Sequence, residues 1–471
     1  MRILVFHSYL LRGTGSNIYN ANLVRALAAL GHEVHLFCQD PAWQAPEGVT
    51  VHVPDIGRVL PVYVADTYEG FDAKPYPELT DDELDHYIAA NVEAVRAAPT
   101  PDVALANHLI MAPLILARAG VSPYAVKIHG SALEYTVRPN PERFLPYALE
   151  GIRGAAGVLV GSQHTANSLF EVLAEEPSLP DRTRLGPPGV DVHEFRPREP
   201  DLEQLAARPA ASWGGEQGSP EVLRQIDLSR DRVVSYVGKL IVSKGVDLLL
   251  AAWPLVVECV PEARLVVVGF GTYFDALGRF VDALRRRDLA TLGEIAARGR
   301  ELEGGPPGEL RYLNAFLRSP GDGWLEAAPA AAERIHFTGR LEHEDLPLLL
   351  PACEAQVMPS TFPESFGMVA AEAAACGALP LSANHSGMAE VTATLSPALP
   401  EHLRPLMAFD VGPGAVGEIA GKLVAWLTLD ASEREAAQAS LAAETARRYS
   451  WESVAQGVIA AAADTDNVPA P

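Results

Sequence analysis

The sequence predicts an α/β protein built from two doubly wound, Rossmann-like domains. In both halves of the chain, short apolar runs alternate with amphipathic stretches, a pattern typical of parallel sheets covered by helices. At 471 residues the chain is too long for one ordinary hydrophobic core. Residues 197–230 separate the two series, because they are rich in Pro, Gly, Ala and acidic residues and show no sustained period.

Residues 1–196 form the first predicted domain. Its predicted strands are Arg2–Phe6, Glu33–Cys38, Val49–Val53, Asp102–Ala106, Tyr124–Ile128 and Gly157–Val160. The first helix follows from one apolar face through Ile18, Leu23, Leu27 and Leu30, and Gly31 ends it. Strand–helix alternation of this kind predicts a parallel sheet, whose ligands lie beyond the carboxyl ends of the strands.

Residues 56–100 interrupt this rhythm and are rich in tyrosine and acidic side chains, including Tyr63, Tyr68 and Tyr76. Thr80, with Glu83 three residues later, predicts a capping box that opens a helix. Two interpretations stay open for this segment. It is either a lid or acceptor-side insertion, or an acidic helix on the surface.

Residues 231–430 form the second predicted domain, and residues 197–230 are interpreted as the linker. The predicted strands are Arg232–Val237, Ala263–Val268, Ile335–Thr338, Ala355–Met358 and Leu379–Ala383. An unusually long connection, 272–330, carries a helix with three consecutive arginines, Arg285 to Arg287, which we interpret as a solvated face. Helices are expected over 431–471, the last one capped by Ser450. Asp464 and Asp466, in the tail, do not make a credible metal site.

Composition limits the kind of partner. The net charge of −23 argues against nucleic acid, since phosphate backbones need a basic surface, and also disfavours an anionic membrane face. The four cysteines show no paired spacing, and the three that lie in or beside apolar runs are expected to be buried thiols in a reducing compartment. We find no signal peptide and no apolar run long enough to span a bilayer, so a cytoplasmic protein without a transmembrane segment is expected.

Glycines and charged side chains follow several predicted strands. Gly238-Lys239 ends the first strand of the second domain, and Lys244-Gly245 precedes the next helix. Glycine admits close approach and ammonium groups supply positive charge, so this turn suits a diphosphate, although lysines after a strand are common on surfaces. Further glycine turns, at Gly269-Phe270-Gly271 and at Gly339-Arg340-Leu341, could hold a flat base or be ordinary strand-to-helix turns.

Pro363 to Gly377, reading PESFGMVAAEAAACG, holds two acids, Glu364 and Glu372. We interpret it as a loop that bends at Gly367 into a helix, with Glu364 just before the helix and Glu372 about two turns inside it. Free N–H groups at such a helix start favour an anion. The alternative is that Glu364 is an acid favoured by the helix dipole and Glu372 a solvated helix residue.

Taken together, these segments resemble the retaining GT-B glycosyltransferases of the family-four type, the glycosyl transferases group 1. The resemblance is carried by GKLIVSKG, VVVGFG, FTGRL, PESFGMVAAEAAACG and SANHSGMAEV, with the GTG loop Gly13-Thr14-Gly15 and the HGS loop His129-Gly130-Ser131 in the first domain. It implies two domains that face a central cleft, the first on the acceptor side and the second binding a nucleotide sugar. The final helix would cross back to the first domain.

The resemblance also implies roles for individual residues. Lys239 and Lys244 would hold the donor diphosphate, Glu364 the transferred sugar and Glu372 the ribose. His129, together with Lys244 and Glu364, would be catalytic. Further donor contacts are implied for Gly15, Gly238, Gly269, Arg340, Leu341, Phe366, Gly367, Met368 and Val369. Lys239 stands where the family commonly has arginine, so the bidentate fork of a guanidinium is lost at that position.

The chemistry that the resemblance implies is transfer of a hexosyl group from a UDP- or GDP-sugar to an unidentified small-molecule, glycan or lipid acceptor, with retention. Same-face attack would pass the acceptor's proton to the donor phosphate, and neither a metal nor another cofactor is expected. A GT-B epimerase, a phosphorylase and a non-catalytic nucleotide-sugar-binding protein remain alternatives. A dehydrogenase is disfavoured because the Gly13-x-Gly15 loop lacks a third glycine at the right offset.

Overall fold

A computed structural model describes residues 1–11, 15–63, 70–209 and 217–463. The strands are β1 (Arg2–Phe6), β2 (Glu33–Phe37), β3 (Val49–His52), β4 (Val59–Val62), β5 (Asp72–Pro75), β6 (Val103–Asn107), β7 (Tyr124–Ile128), β8 (Gly157–Val160), β9 (Thr183–Leu185), β10 (Arg232–Val237), β11 (Ala263–Val268), β12 (Ile335–Gly339), β13 (Cys353–Met358), β14 (Leu379–Ala383) and β15 (Ala408–Phe409).

Eighteen α-helices connect and cover these strands in the described ranges. They are α1 (Gly15–Ala29), α2 (Asp81–Ala97), α3 (Ala112–Ala119), α4 (Pro141–Arg153), α5 (Gln163–Val172), α6 (Leu179–Arg182), α7 (Leu202–Ala206), α8 (Val246–Cys259), α9 (Phe274–Arg286), α10 (Leu289–Arg298), α11 (Arg311–Leu317), α12 (Asp322–Ala332), α13 (Leu346–Leu349), α14 (Met368–Ala375), α15 (Ser386–Leu395), α16 (Ala415–Leu427), α17 (Ala431–Tyr449) and α18 (Trp451–Ala462).

The chain divides into two compact units, each with a parallel sheet. Unit 1 comprises Met1–Gly189 and Arg448–Pro471, and unit 2 comprises Val190–Arg447. Sheet order is β3-β2-β1-β6-β7-β8-β9 in unit 1 and β12-β11-β10-β13-β14-β15 in unit 2. The predicted fold class, two doubly wound parallel-sheet domains, is confirmed. Both sheets reverse their strand order beside the first strand of the unit, at β1 and at β10, where ligands of such sheets bind.

Period-two burial explains why the sheet of unit 1 needs helices on both faces. Ile3 and Val5 of β1 belong to a core cluster with residues of α1 and α18, whereas Leu4 and Phe6 belong to a second cluster with residues of α2 to α5. Parallel strands that are buried on both faces read as continuous apolar runs, which is why the runs located them. The predicted bounds of β1, β7, β8, β10, β11 and β14 match the structure.

Local capping signals also hold. The Thr80 side chain accepts the N–H of Glu83, and the Glu83 carboxylate accepts the N–H of Thr80 at 2.7 Å, which makes the predicted capping box of α2. Ser450 caps α18 through the N–H of Ser453. α18 packs against α1 and the ends of β6, β7 and β8 within unit 1.

Several elements differ from the sequence expectation. The small parallel sheet β4-β5 lies within residues 56–100, and the edge strands β9 and β15 have too few residues to give a pattern. The described residues of 197–230, interpreted as a linker, belong to unit 2 instead: α7 packs on the turn Pro220–Gln225, and Ser219 N–H donates to Phe337 O at 3.2 Å. Pro and Gly favoured the linker interpretation, but α7 contains neither residue, and Pro220 stands at the start of its turn, where the N–H that proline lacks has no partner within the turn.

The connection 272–330 is helical rather than irregular. It contributes α9 to α12, and the Trp324 indole N–H of α12 bonds Ala251 O in α8 at 2.7 Å. Arg285 pairs at the surface with Asp282 and Glu333, as a solvated face would. Within the described ranges, no helix is both long and apolar enough to cross a bilayer. Gly13, Thr14, Tyr68, Asp464 and Asp466 lie outside the described residues.

Candidate active site

The loop from Gly238 to Gly245, called the lysine loop below, follows β10 at the strand-order reversal of unit 2. Its residues Val242–Lys244 are called the lysine turn. Two glycines around it allow backbone to approach backbone. Gly269 adopts φ +150°, and a Cβ there would overlap the carbonyl oxygen of Gly238. Gly245 adopts φ +66°, and its Cβ would overlap the carbonyl oxygen of Pro359. Any larger residue at either position would displace the lysine loop, so both glycines are explained by close approach.

Lys244 and Glu364 form an ion pair in this loop region. The Lys244 ammonium donates to Glu364 Oε1, and the Ser360 hydroxyl lies 2.9 Å from the same oxygen. The two charged side chains are 28% and 21% exposed, so each keeps a face toward solvent. β10 and β13 are adjacent in the sheet, and therefore the residues that follow them meet although 120 positions separate them.

Helix α14 begins directly after this pair. Its first intrahelical bond runs from Ala371 N–H to Gly367 O at 3.1 Å, so the N–H groups of Met368, Val369 and Ala370 have no acceptor inside the helix. The preceding loop is fastened to α15, because Glu364 N–H donates to the Ser386 hydroxyl at 2.9 Å. These free donors and Lys244 together form a site suited to an anion.

Glu372 lies in α14, but just over one turn from its start at Met368, so the predicted depth of two turns was wrong. The side chain is buried, 3% exposed, which excludes a solvated helix position. It pairs with His343, whose Nε2 lies 2.7 Å from Glu372 Oε1. Sequence reasoning missed His343, although it follows Gly339-Arg340-Leu341 by only two residues in the same loop.

Burial alone would lower the pKa of His343, but the hydrogen bond and charge of Glu372, together with the charges of Asp191 and Glu344, outweigh it and raise the pKa above its usual 6.5. The contribution of this pair to folding stability is therefore full below pH 6.5 and is lost as the pH rises through the raised pKa. We expect Glu372→Gln to lower the His343 pKa relative to wild type, because only the charges of Asp191 and Glu344 then oppose the effect of burial. Histidine NMR titration of the nucleotide-free protein measures this shift.

Glu433→Gln is the matched control for this titration, since it removes the carboxylate that lies 2.8 Å from the exposed His402. It should leave the His343 pKa unchanged. A wild-type His343 pKa below 6.5, or one insensitive to Glu372→Gln, would contradict the assignment.

The other residues of unit 2 that were predicted to contact the donor differ in their burial and in their contacts. Lys239 is exposed, and only its backbone oxygen is bonded, by the Tyr236 hydroxyl at 2.9 Å. Arg340 is 12% exposed, pairs with Glu342 and lies over the Phe270 ring at 5.4 Å. The remaining predicted residues are half-buried or buried at the same rim of the sheet: Gly238, Leu341, Phe366, Gly367, Met368 and Val369.

His129 and Gly15 belong to unit 1. His129 follows β7, and its Nε2 lies 2.8 Å from Asn107 Oδ1 at the end of β6. Burial, with the neighbouring rings of His108 and His7 and the charge of Lys127, lowers its pKa well below 6.5. The imidazole is therefore neutral at pH 7 and can donate one hydrogen bond and accept another. A Cβ on Gly15, the first residue of α1, would meet no described atom within 4 Å.

A buried polar cluster surrounds His129 at the carboxyl ends of β1, β6 and β7. His7, next after β1, is held between Asn17 and Asn20, with both ring nitrogens 2.9 Å from an amide atom, and burial lowers its pKa to about 4. His108 adopts φ +70°, and its ring lies 4.8 Å from that of His129. Sequence reasoning missed His7; the available signal was a polar residue directly after a fully apolar strand.

Comparisons with known proteins give a match in each of the two units. The family model described as Glycosyl transferases group 1 matches residues 328–397, and that described as Glycosyl transferase 4-like domain matches 14–178. The chain is 26% identical over 455 residues to the D-inositol 3-phosphate glycosyltransferase of Salinispora tropica, which covers 93% of this chain and 78% of that protein.

Two solved structures share the fold. Sucrose-phosphate synthase from Thermosynechococcus elongatus superposes with a TM-score of 0.61 at 19% identity, over 97% of this chain and 96% of that one. Anabaena HepE, solved in complex with UDP and glucose, gives 0.60 at 16% identity, over 98% of each chain. Identities this low establish the fold alone.

The two parallel-sheet units have the GT-B fold, and the two matching family models identify the class of protein as a glycosyltransferase. In both units the chain is similar in sequence to the glycosyl transferases group 1 of the family-four type.

Proposed function

We propose that the enzyme transfers a hexosyl group from a nucleotide-diphosphate sugar to an acceptor hydroxyl, with retention of the α configuration. The observation that carries the proposal is the Lys244–Glu364 pair beside the free N–H groups of α14. A cation and a helix start supply positive potential for a diphosphate, while a carboxylate beside them accepts hydroxyl protons of a sugar. One donor molecule offers both chemistries.

In the proposed reaction, the bond between the anomeric carbon and the diphosphate oxygen breaks, and a bond from that carbon to the acceptor oxygen forms. The acceptor's proton passes to the departing diphosphate on the same face of the sugar. Negative charge grows on the leaving group, so Lys244, Lys239 and the start of α14 stabilise the transition state more than the ground state. The proposal uses these fixed cations and includes no metal or cofactor.

The remaining groups are assigned to orientation. Glu364 accepts hydrogen bonds from hydroxyls of the transferred sugar. Glu372, just over one turn into α14, accepts hydrogen bonds from the ribose hydroxyls. Because His343 already occupies one oxygen of Glu372, the ribose would use the other. His129 is the proposed contribution of unit 1 to catalysis, as a neutral imidazole that can bond a sugar hydroxyl. The four free cysteines favour a reducing compartment, and we place the enzyme in the cytoplasm.

A combined thermal-shift and turnover screen against UDP-, GDP- and ADP-sugars tests this function. We expect stabilisation by UDP- or GDP-sugars and formation of a glycoside once an acceptor is supplied. Product analysis separates the alternatives: an epimerised donor indicates an epimerase, and phosphorolysis indicates a phosphorylase. Binding of the donor without hydrolysis or transfer to any acceptor would indicate a binding protein. No stabilisation by any of the three nucleotide classes would refute the proposal.

A further inference from the structure

The turn that carries Lys244 lacks a capping group of its own. Residues Val242–Lys244 form a short 3-10 turn, and the residue before it, Ile241, has an aliphatic side chain that cannot accept a hydrogen bond. The N–H of Val242 instead donates to Glu303 Oε2 at 2.7 Å. Glu303 lies 61 residues further along the chain, in the 272–330 connection. The cap of the lysine turn is therefore supplied from a distant segment.

Glu303 is held for this contact. Its side chain is 10% exposed, and its second oxygen, Oε1, lies 3.3 Å from Arg300 Nε. Burying a carboxylate is costly unless its oxygens are hydrogen-bonded, and here both oxygens have a donor. By contrast, Glu301 on the same turn is 46% exposed and pairs with Arg298 at the surface.

The start of α9 fastens the same loop at a second point. Leu240 O accepts the N–H of Tyr273 at 3.0 Å, and Leu240 N–H donates to Phe270 O at 2.8 Å. Gly271 adopts φ +157°, and a Cβ there would overlap the Leu240 carbonyl oxygen. The backbone of the lysine loop is thus set by contacts from the β11–α9 turn and from the Arg300–Glu303 turn.

We propose that Glu303 is a positioning residue for the donor diphosphate, which makes the 272–330 connection a working part of the donor site. This inference rests on the proposed function. Glu303 contacts a backbone N–H rather than either lysine, so it acts through the conformation of the turn. Without its oxygen, the Val242 N–H loses its acceptor and the turn that aims Lys244 at the phosphate is released.

Three substitutions of Glu303 separate the effect of its side-chain length from the effect of its charge. Glu303→Ala removes the acceptor, Glu303→Asp keeps the charge but shortens the side chain, and Glu303→Gln keeps the reach and an acceptor oxygen. We expect Ala and Asp to weaken nucleoside diphosphate binding about tenfold, the order expected for a lost cap, and Gln to stay within about threefold of wild type. Glu301→Ala is the matched control and should change nothing.

Calorimetric titration with UDP and GDP, each paired with its monophosphate, measures these effects. Affinity for the diphosphate should fall in the Ala and Asp variants while affinity for the monophosphate is retained, because the loop holds the outer phosphate. Melting temperatures identify any variant that has lost its fold, and the Asp–Gln comparison then decides the outcome. Tighter binding by Gln and Ala with normal binding by Asp would show that Glu303 acts only as a repelling charge, and would overturn the proposal.

Titration of Lys244→Ala in parallel distinguishes failure of the Glu303 proposal from failure of the proposed function. If wild type binds a diphosphate and Lys244→Ala loses it while all Glu303 variants bind normally, only the role of Glu303 is refuted. If wild type binds neither UDP nor GDP, or Lys244→Ala binds as wild type does, the donor site itself is misassigned and the role of Glu303 falls with it.

Discussion

Replacing Lys244 by alanine is expected to lower turnover at saturating donor by at least about 30-fold, equivalent to ~2 kcal/mol of transition-state stabilisation. Lys244 is preorganised by its ion pair with Glu364 and by the Gly245 turn, so it costs no reorganisation when charge develops on the leaving diphosphate. Saturating donor is required, because loss of the ammonium also weakens binding of the ground state.

Lys74 offers a matched control for this experiment. It forms a lysine–glutamate pair with Glu83 in unit 1, with an N–O distance of 2.8 Å and exposures of 31% and 29%, close to those of the Lys244–Glu364 pair. Lys74→Ala should leave turnover within about twofold of wild type, since partly exposed ion pairs contribute little. Near-normal turnover of Lys244→Ala at saturating donor would refute the diphosphate assignment.

Replacing Glu364 by glutamine should lower sugar transfer by about 100-fold, or ~2.7 kcal/mol, while the affinity for the sugar-free nucleoside diphosphate stays equal or rises. The carboxylate is proposed to bond hydroxyls of the transferred sugar, so its loss weakens contacts with the sugar and removes no contact with the nucleoside diphosphate. Removing it also frees the Lys244 ammonium, which then faces the diphosphate without a competing anion. Initial rates and calorimetric titration with the nucleoside diphosphate measure the two effects.

Glu83→Gln, in the same matched pair of unit 1, controls for the general cost of losing a lysine partner.

The role of Glu364 as an orienting group rather than a nucleophile has its own test. Residual product of Glu364→Ala should keep the α configuration, and azide should not restore turnover. A β-glycosyl azide formed by this variant would show that azide had replaced a carboxylate nucleophile, and would contradict the proposed same-face reaction.

Local sequence was sufficient for most of the strands and singled out several residues of the proposed donor site. Strands such as β1, β7, β10 and β14 are buried on both faces, so unbroken apolar runs mark their bounds. Thr80 and Ser450 mark helix starts because a cap bonds within its own turn. Lys244 and Glu364 were recognised in the same way, from glycine turns and motif residues within a few positions of each.

Only the tertiary structure decided which of these groups meet. The pairing of Lys244 with Glu364 depends on β10 and β13 being neighbours, an order that no local pattern encodes. Glu372 meets His343 only in the folded chain, where His343 Nε2 lies 2.7 Å from Glu372 Oε1 although 29 positions separate the two residues. Glu303 lies 61 residues from Val242, whose N–H it accepts. His7 lies 10 and 13 residues from the two asparagines that contact its ring.

The sequence by itself therefore predicted the fold class and the two parallel sheets, and it singled out the acids and lysines of the proposed donor site, because these follow from periodicity and turn chemistry over short distances. The tertiary structure decided the burial of Glu372, the neutral histidine cluster around His129 and the contact between Glu303 and the Val242 N–H. Burial and long-range hydrogen bonds depend on strand order and helix packing, which are properties of the folded chain as a whole.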